Sequence, residues 1–373
     1  MKLKIKQSVL MEHLNYAIKG ISNKNLIPIL NCIKFELTNE GLYLLSTDND
    51  IAIKSFISKE QIEDIDVVGD VVISGRFIYD IVRKLPNTLI NIEEVADSRL
   101  YIYTENSSFY LNCNLVSDFP SIDLSDNKTP IFLEQKVLKT IYNQTAFAAS
   151  TQEARPILTG INFKIDGNEL NCTATDSYRL ATKKVILKET VDNSINVTIP
   201  TKNMNDLVRM LNKDEDLVEM NIFNNKIIFK FNNIIMLSSL INGKYPDTTK
   251  LIPSNFNICI NILEKEMFDS IDRASLLTNE AEKNIIRFES FDNEAIISSN
   301  IPEIGNVEEK IKISKNEVEN IKISFSSKYM MEALKTLDTE NIRLLFNNEI
   351  SPIIVKGEND DNLIQLILPI KTY

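Results

Sequence analysis

Apolar residues follow two periods along the chain. Near residues 220 and 229 they occupy every second position, and the asparagine pairs Asn224-Asn225 and Asn232-Asn233 end the alternating runs. This alternation predicts antiparallel strands, and the asparagine pairs predict tight turns between them, a β-meander. Residues 9–18, 137–148 and 202–211 instead carry apolar side chains at the three- and four-residue spacing of short amphipathic helices.

The first third of the chain is repeated in the second third. The segment PILNCIKF at 28–35 returns as PILTGINF at 156–163, and Thr47-Asp48 returns as Thr175-Asp176, both 128 positions later. In the last third the similarity is weaker, and Ser299-Asn300 stands where Thr-Asp is expected. A fixed period of this kind indicates a chain built from repeated units.

A second marker lies in the latter half of each unit. The helix-like run FIYDIVRKL at 77–85 returns as NMNDLVRML at 203–211 and as YMMEALKTL at 329–337, in steps of 126 residues. Its acidic and basic positions repeat as well. They are Asp80, Asp206 and Glu332, and Arg83, Arg209 and Lys335.

These repeats divide the 373 residues into three units, which we place at 1–125, 126–253 and 254–373. Pro130 and Pro253 lie near the two boundaries. Each unit is predicted to hold two short helices and several antiparallel strands, which is an α+β fold. Open sheet edges favour edge-to-edge joining of such units into an arc or a ring.

The composition predicts a soluble, cytoplasmic globular protein. Apolar residues make up 43% of the chain, and no apolar run approaches the roughly 18 residues of a membrane span. The N-terminus shows no secretory signal. Four widely separated cysteines predict reduced, packed thiols. The net charge of −11 does not decide whether nucleic acid is a partner, because phosphate binding needs only a local basic excess.

The sequence offers little for catalysis. His13 is the single histidine, and the nine glycines form neither a phosphate-binding loop nor a dinucleotide-binding pattern. Asp48 and Asp176 could be imagined as catalytic carboxylates, but a Thr-Asp pair at equivalent places in a repeat is more simply a turn at a strand end. We therefore expect a protein without enzymatic activity, metal site or cofactor.

The three repeats, the run TDSYRL at 175–180, Tyr-Pro-Asp at 245–247 and Leu-Pro-Ile-Lys at 368–371 together resemble the bacterial sliding clamp family, the β subunit of DNA polymerase III. The resemblance covers the whole chain. It implies a head-to-tail homodimer that forms a ring of six domains around double-stranded DNA, with helices lining the hole. It also implies partners: the replicative polymerase catalytic subunit, the clamp loader and other replication and repair proteins with a clamp-binding motif. The alternative is a clamp-like repeat scaffold that binds proteins without encircling DNA.

The resemblance also implies DNA contacts without base readout. They are Lys24, Arg76 and Gln152, to which we add Lys202, Arg83 and Arg209. For Arg83 and Arg209 the alternative is an ion pair with the acid one turn earlier, worth a few tenths of a kcal/mol. Arg155 is followed by Pro156 and Ile157 where clamps can carry aromatic residues, so we expect weaker direct DNA contacts here.

A docking pocket for partner peptides is implied between the second and third domains. Its residues are Leu158, Thr175, Ser177, Tyr178, Arg179, Leu180, Pro246, Leu251, Pro352, Ile367, Leu368, Pro369 and Ile370. Leu158, Leu180 and Ile367 could equally be plain core. At the subunit interface we expect Leu276 and Leu277 to meet Phe109 and Leu111 of the partner's first domain.

Overall fold

A computed structural model describes residues 1–21, 26–96, 98–125, 127–279, 284–315 and 319–371. In this part of the chain two short helices occur in each repeat, together with antiparallel strands, so the predicted α+β fold is confirmed. The helices are α1 (Gln7–Ala17), α2 (Gly75–Lys84), α3 (Gln135–Thr145), α4 (Thr201–Val208), α5 (Glu264–Ser275) and α6 (Ser327–Leu334).

The chain forms two compact units. The first contains Met1–Lys136 and Asn203–Leu240, and the second contains Val137–Lys202 and Ile241–Tyr373. Every strand of the described residues pairs within its own unit.

The first unit contains two antiparallel sheets. In the five-stranded sheet the order is β5–β1–β7–β8–β9, from β1 (Lys2–Lys6), β5 (Ile62–Val67), β7 (Leu89–Val95), β8 (Arg99–Tyr103) and β9 (Ser108–Asn112). In the eight-stranded sheet the order is β10–β13–β14–β15–β4–β3–β2–β6, from β2 (Cys32–Leu37), β3 (Gly41–Thr47), β4 (Ile51–Ser58), β6 (Gly69–Ser74), β10 (Ile131–Glu134), β13 (Leu217–Ile222), β14 (Lys226–Phe231) and β15 (Ile234–Ser239). The predicted meander corresponds to β13, β14 and β15.

The second unit also contains two sheets. In the seven-stranded sheet the order is β11–β12–β24–β23–β22–β16–β20, from β11 (Gly160–Thr175), β12 (Arg179–Pro200), β16 (Ile258–Leu263), β20 (Ser314–Lys315), β22 (Asn341–Phe346), β23 (Ile353–Gly357) and β24 (Asp360–Ile367). In the four-stranded sheet the order is β19–β18–β17–β21, from β17 (Ile285–Ser290), β18 (Glu294–Ile301), β19 (Gly305–Lys312) and β21 (Lys322–Ser326).

Two strand pairs join one repeat to the next, and we call each pair a joint. In the first joint β15 pairs with β4, and Ser239 N donates to Asp50 O at 2.7 Å. In the second joint β24 pairs with β12, and Leu368 N donates to Tyr178 O at 2.9 Å. Asp50 and Tyr178 are 128 positions apart, so both joints use the same place in the repeat. The repeats are thus linked by the edge-to-edge pairing that the open sheet edges predict.

The repeated Thr-Asp pair forms a turn at a strand end. Thr47 Oγ1 donates to Ile51 O, and Thr175 Oγ1 donates to Arg179 O. In each turn the aspartate side chain accepts two backbone N–H groups, and the next residue has a positive φ of 79° (Asn49 and Ser177). These bonds fix the local backbone and account for the recurrence of the dipeptide.

The sequence comparison matched Ser299-Asn300 with Thr47-Asp48, and this match is wrong by one residue. Ser299 Oγ donates to Ala274 O at the end of α5, whereas in the first repeat Ser46, not Thr47, makes the equivalent bond to Ala17 O at the end of α1. Ser299 is therefore the counterpart of Ser46. Without a strong local motif a one-residue shift is hard to detect in sequence, although it moves every side chain to the other face of a strand.

Helices α1, α2, α5 and α6 pack onto strands of the sheets. In α1 the apolar face is Leu10, Leu14 and Ala17, all fully buried, and the same helix buries His13. The His13 Nδ1 lies 2.6 Å from Ser55 Oγ on β4. Burial of a leucine-sized side chain stabilises the fold by about 2 kcal/mol, so a few such residues suffice to hold a helix of three turns. The four cysteines are free thiols, of which Cys32 and Cys172 are buried and Cys113 and Cys259 are partly buried.

Candidate peptide-docking site and basic helix faces

The second joint brings several predicted pocket residues together. Arg179 and Leu180 at the start of β12 pair with Ile367 and Leu366 at the end of β24. The chain beyond β24 stays attached, because Leu368 N bonds to Tyr178 O and Ile370 N donates to Ser324 O at 2.7 Å. A turn and a terminal segment that are far apart in sequence therefore lie side by side.

Exposed apolar side chains mark this surface. Tyr178 is 57% exposed, Leu251 is 51% exposed and Leu368 is 38% exposed. Pro369 and Ile370 are half-buried beside them. Side chains of this kind are energetically costly in water, and exposed aromatic and aliphatic groups are the anchors that peptide-binding surfaces use.

Other predicted members form the floor or belong to the core. Leu158, Leu180 and Ile367 are at most 4% exposed. Leu180 packs in a small apolar cluster with Leu345 and Leu366, and Ile367 is part of the third repeat's core. Side chains this buried offer almost no surface to a ligand, as the core alternative predicts.

Polar residues shape the rim. Asp247 Oδ1 accepts both the N–H and the Oγ1 hydroxyl of Thr249, and these bonds hold the pKa of the carboxyl below its usual range. The resulting turn leads into the short helix Thr249–Leu251, which presents Leu251. Thr175 is buried and its hydroxyl bonds to the backbone, so its role in the site is to hold the turn.

Arg179 is the most enclosed charged residue of this surface. Its Nε donates to Asp176 Oδ2 at 3.1 Å, and Nη1 pairs with a carboxylate oxygen of Glu332 on α6. The guanidinium also stacks on Tyr329 and Phe147. Glu332, Tyr329 and Phe147 were not among the site residues predicted from the sequence. Glu332 did appear as the acidic position of a repeated helix, but its partner lies 153 residues away.

Basic residues on α2 and α4 were predicted to contact DNA. Arg76 is exposed on the first turn of α2. Arg83 is exposed on its last turn, where Nη2 lies 2.6 Å from Asp80 Oδ1, so the ion-pair alternative is realised at this position. Arg209 is exposed just after α4, and Lys202 and Gln152 are also exposed. Lys24 lies outside the described residues.

The predicted subunit contacts are partly exposed. Phe109 is 36% exposed on β9 and Leu111 is half-buried, and Leu276 after α5 is 80% exposed with Leu277 half-buried. Among the described residues no His, Cys, Asp and Glu side chains are grouped to hold a metal ion. Nor does any helix there combine the length and hydrophobicity that crossing a membrane requires.

Three family models match successive parts of the chain. The DNA polymerase III beta subunit N-terminal domain matches residues 1–123, the central domain matches 132–247, and the C-terminal domain matches 249–371. Beta sliding clamps of Bacillus subtilis (strain 168) and Staphylococcus aureus (strain Mu50) are 39% and 38% identical, with 100% of both chains covered in each case.

Solved structures of the same family are similar to this chain along its whole length. The DNA polymerase sliding clamp from Bacillus subtilis is similar with a TM-score of 0.96 at 39% identity. The DNA polymerase III beta chain from Streptococcus pneumoniae TIGR4 is similar with a TM-score of 0.95 at 33% identity. In both cases 100% of each chain is covered.

Proposed function

The chain belongs to the DNA polymerase III beta subunit family, and on this premise we propose that two copies close into a ring around double-stranded DNA and hold replication proteins on it. As a sliding clamp it is a non-catalytic subunit of the polymerase. We further propose domains at 1–125, 126–253 and 254–373, close to the three matched ranges, and action in the cytoplasm, where bacterial DNA is replicated.

The proposed ring is supported by one observation, which is that the two joints have the same construction. The second half of each repeat contains a three-strand meander, which is β7–β8–β9, β13–β14–β15 or β22–β23–β24. Each joint pairs the last strand of this second meander, β15 or β24, with the strand that follows the repeated turn of the preceding repeat, β4 or β12. Two strands of the same kinds remain at sheet edges. They are β9, which ends the first repeat's second meander, and β19, which follows β18 as β4 follows β3. Pairing of β9 with β19 of a second copy makes a third joint of the same type, which we call the closing joint.

The closing joint occurs twice in a dimer, because each copy supplies one β9 and one β19. A heterologous contact that is used twice around a twofold axis closes, whereas one without closure produces a filament. Three domains in each copy then give a six-domain ring. Family membership supports closure over an open chain of subunits.

The repeat also gives a register for the closing joint. Asn112 is the counterpart of Ser239, because each pairs with the first residue of the preceding strand, β8 or β14. Val307 is the counterpart of Ile53, because they pair with Ser299 and Ser46. Ile304 and Asp50 each lie three residues earlier and are therefore counterparts as well. By equivalence with the first joint, Asn112 N donates to Ile304 O of the partner subunit, and Phe109 faces Val307 of the partner subunit. The α5 helix packs on β18 and β19, so Leu276 and Leu277 lie near this edge and cover Phe109 and Leu111.

DNA binding in this proposal is electrostatic. Exposed Arg76, Arg209 and Lys202 contact phosphates without reading bases, which permits sliding. Gln152 and Lys24 are proposed contacts as well, and Arg83 contributes less because Asp80 already neutralises it. An acidic exterior of net charge −11 limits unspecific adhesion elsewhere.

The second joint is the proposed docking site for partners. Tyr178, Leu251, Leu368 and Ile370 present apolar anchors for a short peptide, such as one of the Gln-Leu-x-Leu-Phe kind, while Ser177, Pro246, Pro352 and Pro369 shape the walls. We propose that the polymerase catalytic subunit, the clamp loader and repair proteins share this site.

Retention on DNA tests the function. The protein is loaded onto nicked circular plasmid, and the salt concentration is then raised until ordinary phosphate contacts fail. We expect the protein to stay on circles and to leave once the plasmid is linearised. Equal loss from circular and linear DNA would instead indicate a scaffold that does not encircle DNA. A mass near twice 42.6 kDa in solution is the accompanying requirement.

A further inference from the structure

The Arg179 guanidinium is enclosed by acidic and aromatic side chains of this chain. Its side chain is only 10% exposed, and it bonds two carboxylates, those of Asp176 and Glu332. Its central carbon lies 4.4 Å from the ring centroid of Tyr329 and 5.2 Å from that of Phe147. Arginines enclosed in this way by both acids and aromatic faces are held in one orientation, because the planar fork and the flat faces each restrict it.

The cluster around Arg179 does not present a positive charge to a ligand. One guanidinium faces two carboxylates, so the group carries an excess negative charge. Burial raises the pKa of the Tyr329 hydroxyl, and Asp176 raises it further, so this ring stays neutral and keeps its face for the cation. A partner's carboxylate would meet Asp176 and Glu332 as well as Arg179, and gains little from coming here.

The same helix–turn contact exists at the first joint, without charge. The counterparts of Arg179 and Tyr329 are Ile51 and Asn203, by the repeat displacements of 128 and 126 residues. There Asn203 Nδ2 lies 3.5 Å from Asp50 O in the turn and 2.8 Å from Ser238 Oγ. In both joints, therefore, a helix of the following repeat supports the repeated turn, α4 through Asn203 and α6 through Tyr329 and Glu332. At the second joint an ion pair has taken over this support, and this is the joint at which Tyr178 is exposed.

We infer that Glu332, Tyr329 and Phe147 act through Arg179 to fix the turn at 175–180 against α6, and thereby place Tyr178 for the docking peptide. Arg179 is then a positioning residue of the site and not a ligand for the peptide's charge. The inference rests on the proposed docking function of the second joint. It adds three residues to the site and assigns the peptide's recognition to apolar anchors.

Replacement of Glu332 by glutamine separates the two possible roles of Arg179, because they predict opposite signs. If Arg179 is held in place by Glu332, Glu332→Gln loosens the turn and weakens peptide binding by about tenfold, which corresponds to about 1.4 kcal/mol. If Arg179 contacts the peptide directly, the same change frees its charge and strengthens binding of an acidic peptide. The matched control is Asp338→Asn, which removes the same charge from an exposed residue near the end of α6.

The probes are two synthetic peptides, Gln-Leu-Asp-Leu-Phe and Gln-Leu-Asn-Leu-Phe, titrated by fluorescence anisotropy. We expect Glu332→Gln to weaken both equally, Arg179→Lys to do the same although it keeps the charge, and Glu332→Asp to restore part of the affinity. Tyr329→Leu serves as a second variant should Glu332→Gln fail to fold, and it should likewise weaken both peptides. Melting temperature and mass are measured on every variant.

Each other result has a defined meaning. Tighter binding of the aspartate peptide to Glu332→Gln makes Arg179 a direct ligand and overturns the inference. Unchanged affinity for both peptides in folded Glu332→Gln overturns it too, because the ion pair then positions nothing. If Tyr178→Ala binds the peptide as tightly as the wild-type protein does, the proposed docking function itself is contradicted. That result is a separate failure from the two above.

Discussion

The replacement of Tyr110 by proline tests the closing joint through the backbone alone. Thr104 N donates to Ser107 O and Cys113 N donates to Ser98 O, so the alternation of an antiparallel pair directs the N–H groups of residues 109 and 111 toward β8. The Tyr110 N–H therefore points away from β8 to the open edge of the sheet. Proline at an edge-strand position whose N–H faces outward is tolerated, and we expect Tyr110→Pro to leave the fold of the subunit intact.

The expected loss follows from the register of the closing joint. By equivalence with Leu237, which pairs with Ala52 in the first joint, Tyr110 N donates to Asn306 O of the partner subunit. Loss of that hydrogen bond, together with the steric conflict of the proline side chain in place of the amide hydrogen, costs about 2 kcal/mol in each joint. The ring has two closing joints, so the dimer loses about 4 kcal/mol, and its dissociation constant rises by roughly a thousandfold.

Tyr110→Ala is the matched control. It keeps the N–H but removes the stacking of Tyr110 on Tyr101, whose ring centroids lie 4.5 Å apart, so both variants lose that contact. Sedimentation velocity across a concentration series gives the dissociation constants, and circular dichroism checks the fold. If the proline and alanine variants dimerise equally well, β9 does not pair with a second copy through its backbone, and the closing joint is wrong.

Four further outcomes are expected. Tyr178→Ala should weaken binding of a Gln-Leu-x-Leu-Phe peptide by about thirtyfold, the effect of losing one anchor of about 2 kcal/mol, while removal of the chain from Leu368 onward should abolish it in a protein that remains dimeric by light scattering. Arg76→Glu should slow loading onto DNA and reduce its salt dependence, yet leave retention on circles unchanged in a filter-binding assay; faster loss from circles would contradict topological linkage. Burial lowers the pKa of His13, against the opposing effect of Glu12, so its folded-state pKa lies below the unfolded value near 6.5 and stability should fall as pH drops below that value. The melting temperature of the wild type should therefore decrease more between pH 7 and pH 5 than that of His13→Gln, and parallel decreases would refute this.

Local chemistry made much of the repeat predictable from sequence. The turns at Thr47 and Thr175 are determined by side chains that bond to their own backbone within a few residues, so the same dipeptide gives the same turn twice. Apolar periodicity likewise predicted the helices α1, α3 and α4 to within a few residues of their ends. In the third repeat, where the dipeptide is absent, the sequence alignment was one residue off, and only the bond from Ser299 to Ala274 corrected it.

Long-range pairing was decided by the tertiary structure alone. Nothing local to β4 says that β15 will lie beside it, because an exposed strand edge can accept any strand of suitable register. The docking surface depends on the same kind of choice: the exposure of Tyr178 and the enclosure of Arg179 follow from the arrival of β24 and α6, which lie more than 140 residues further along the chain. A sequence carries the side chains of such a cluster, but their meeting is a property of the packed core, since folding alone brings together residues that no local interaction connects.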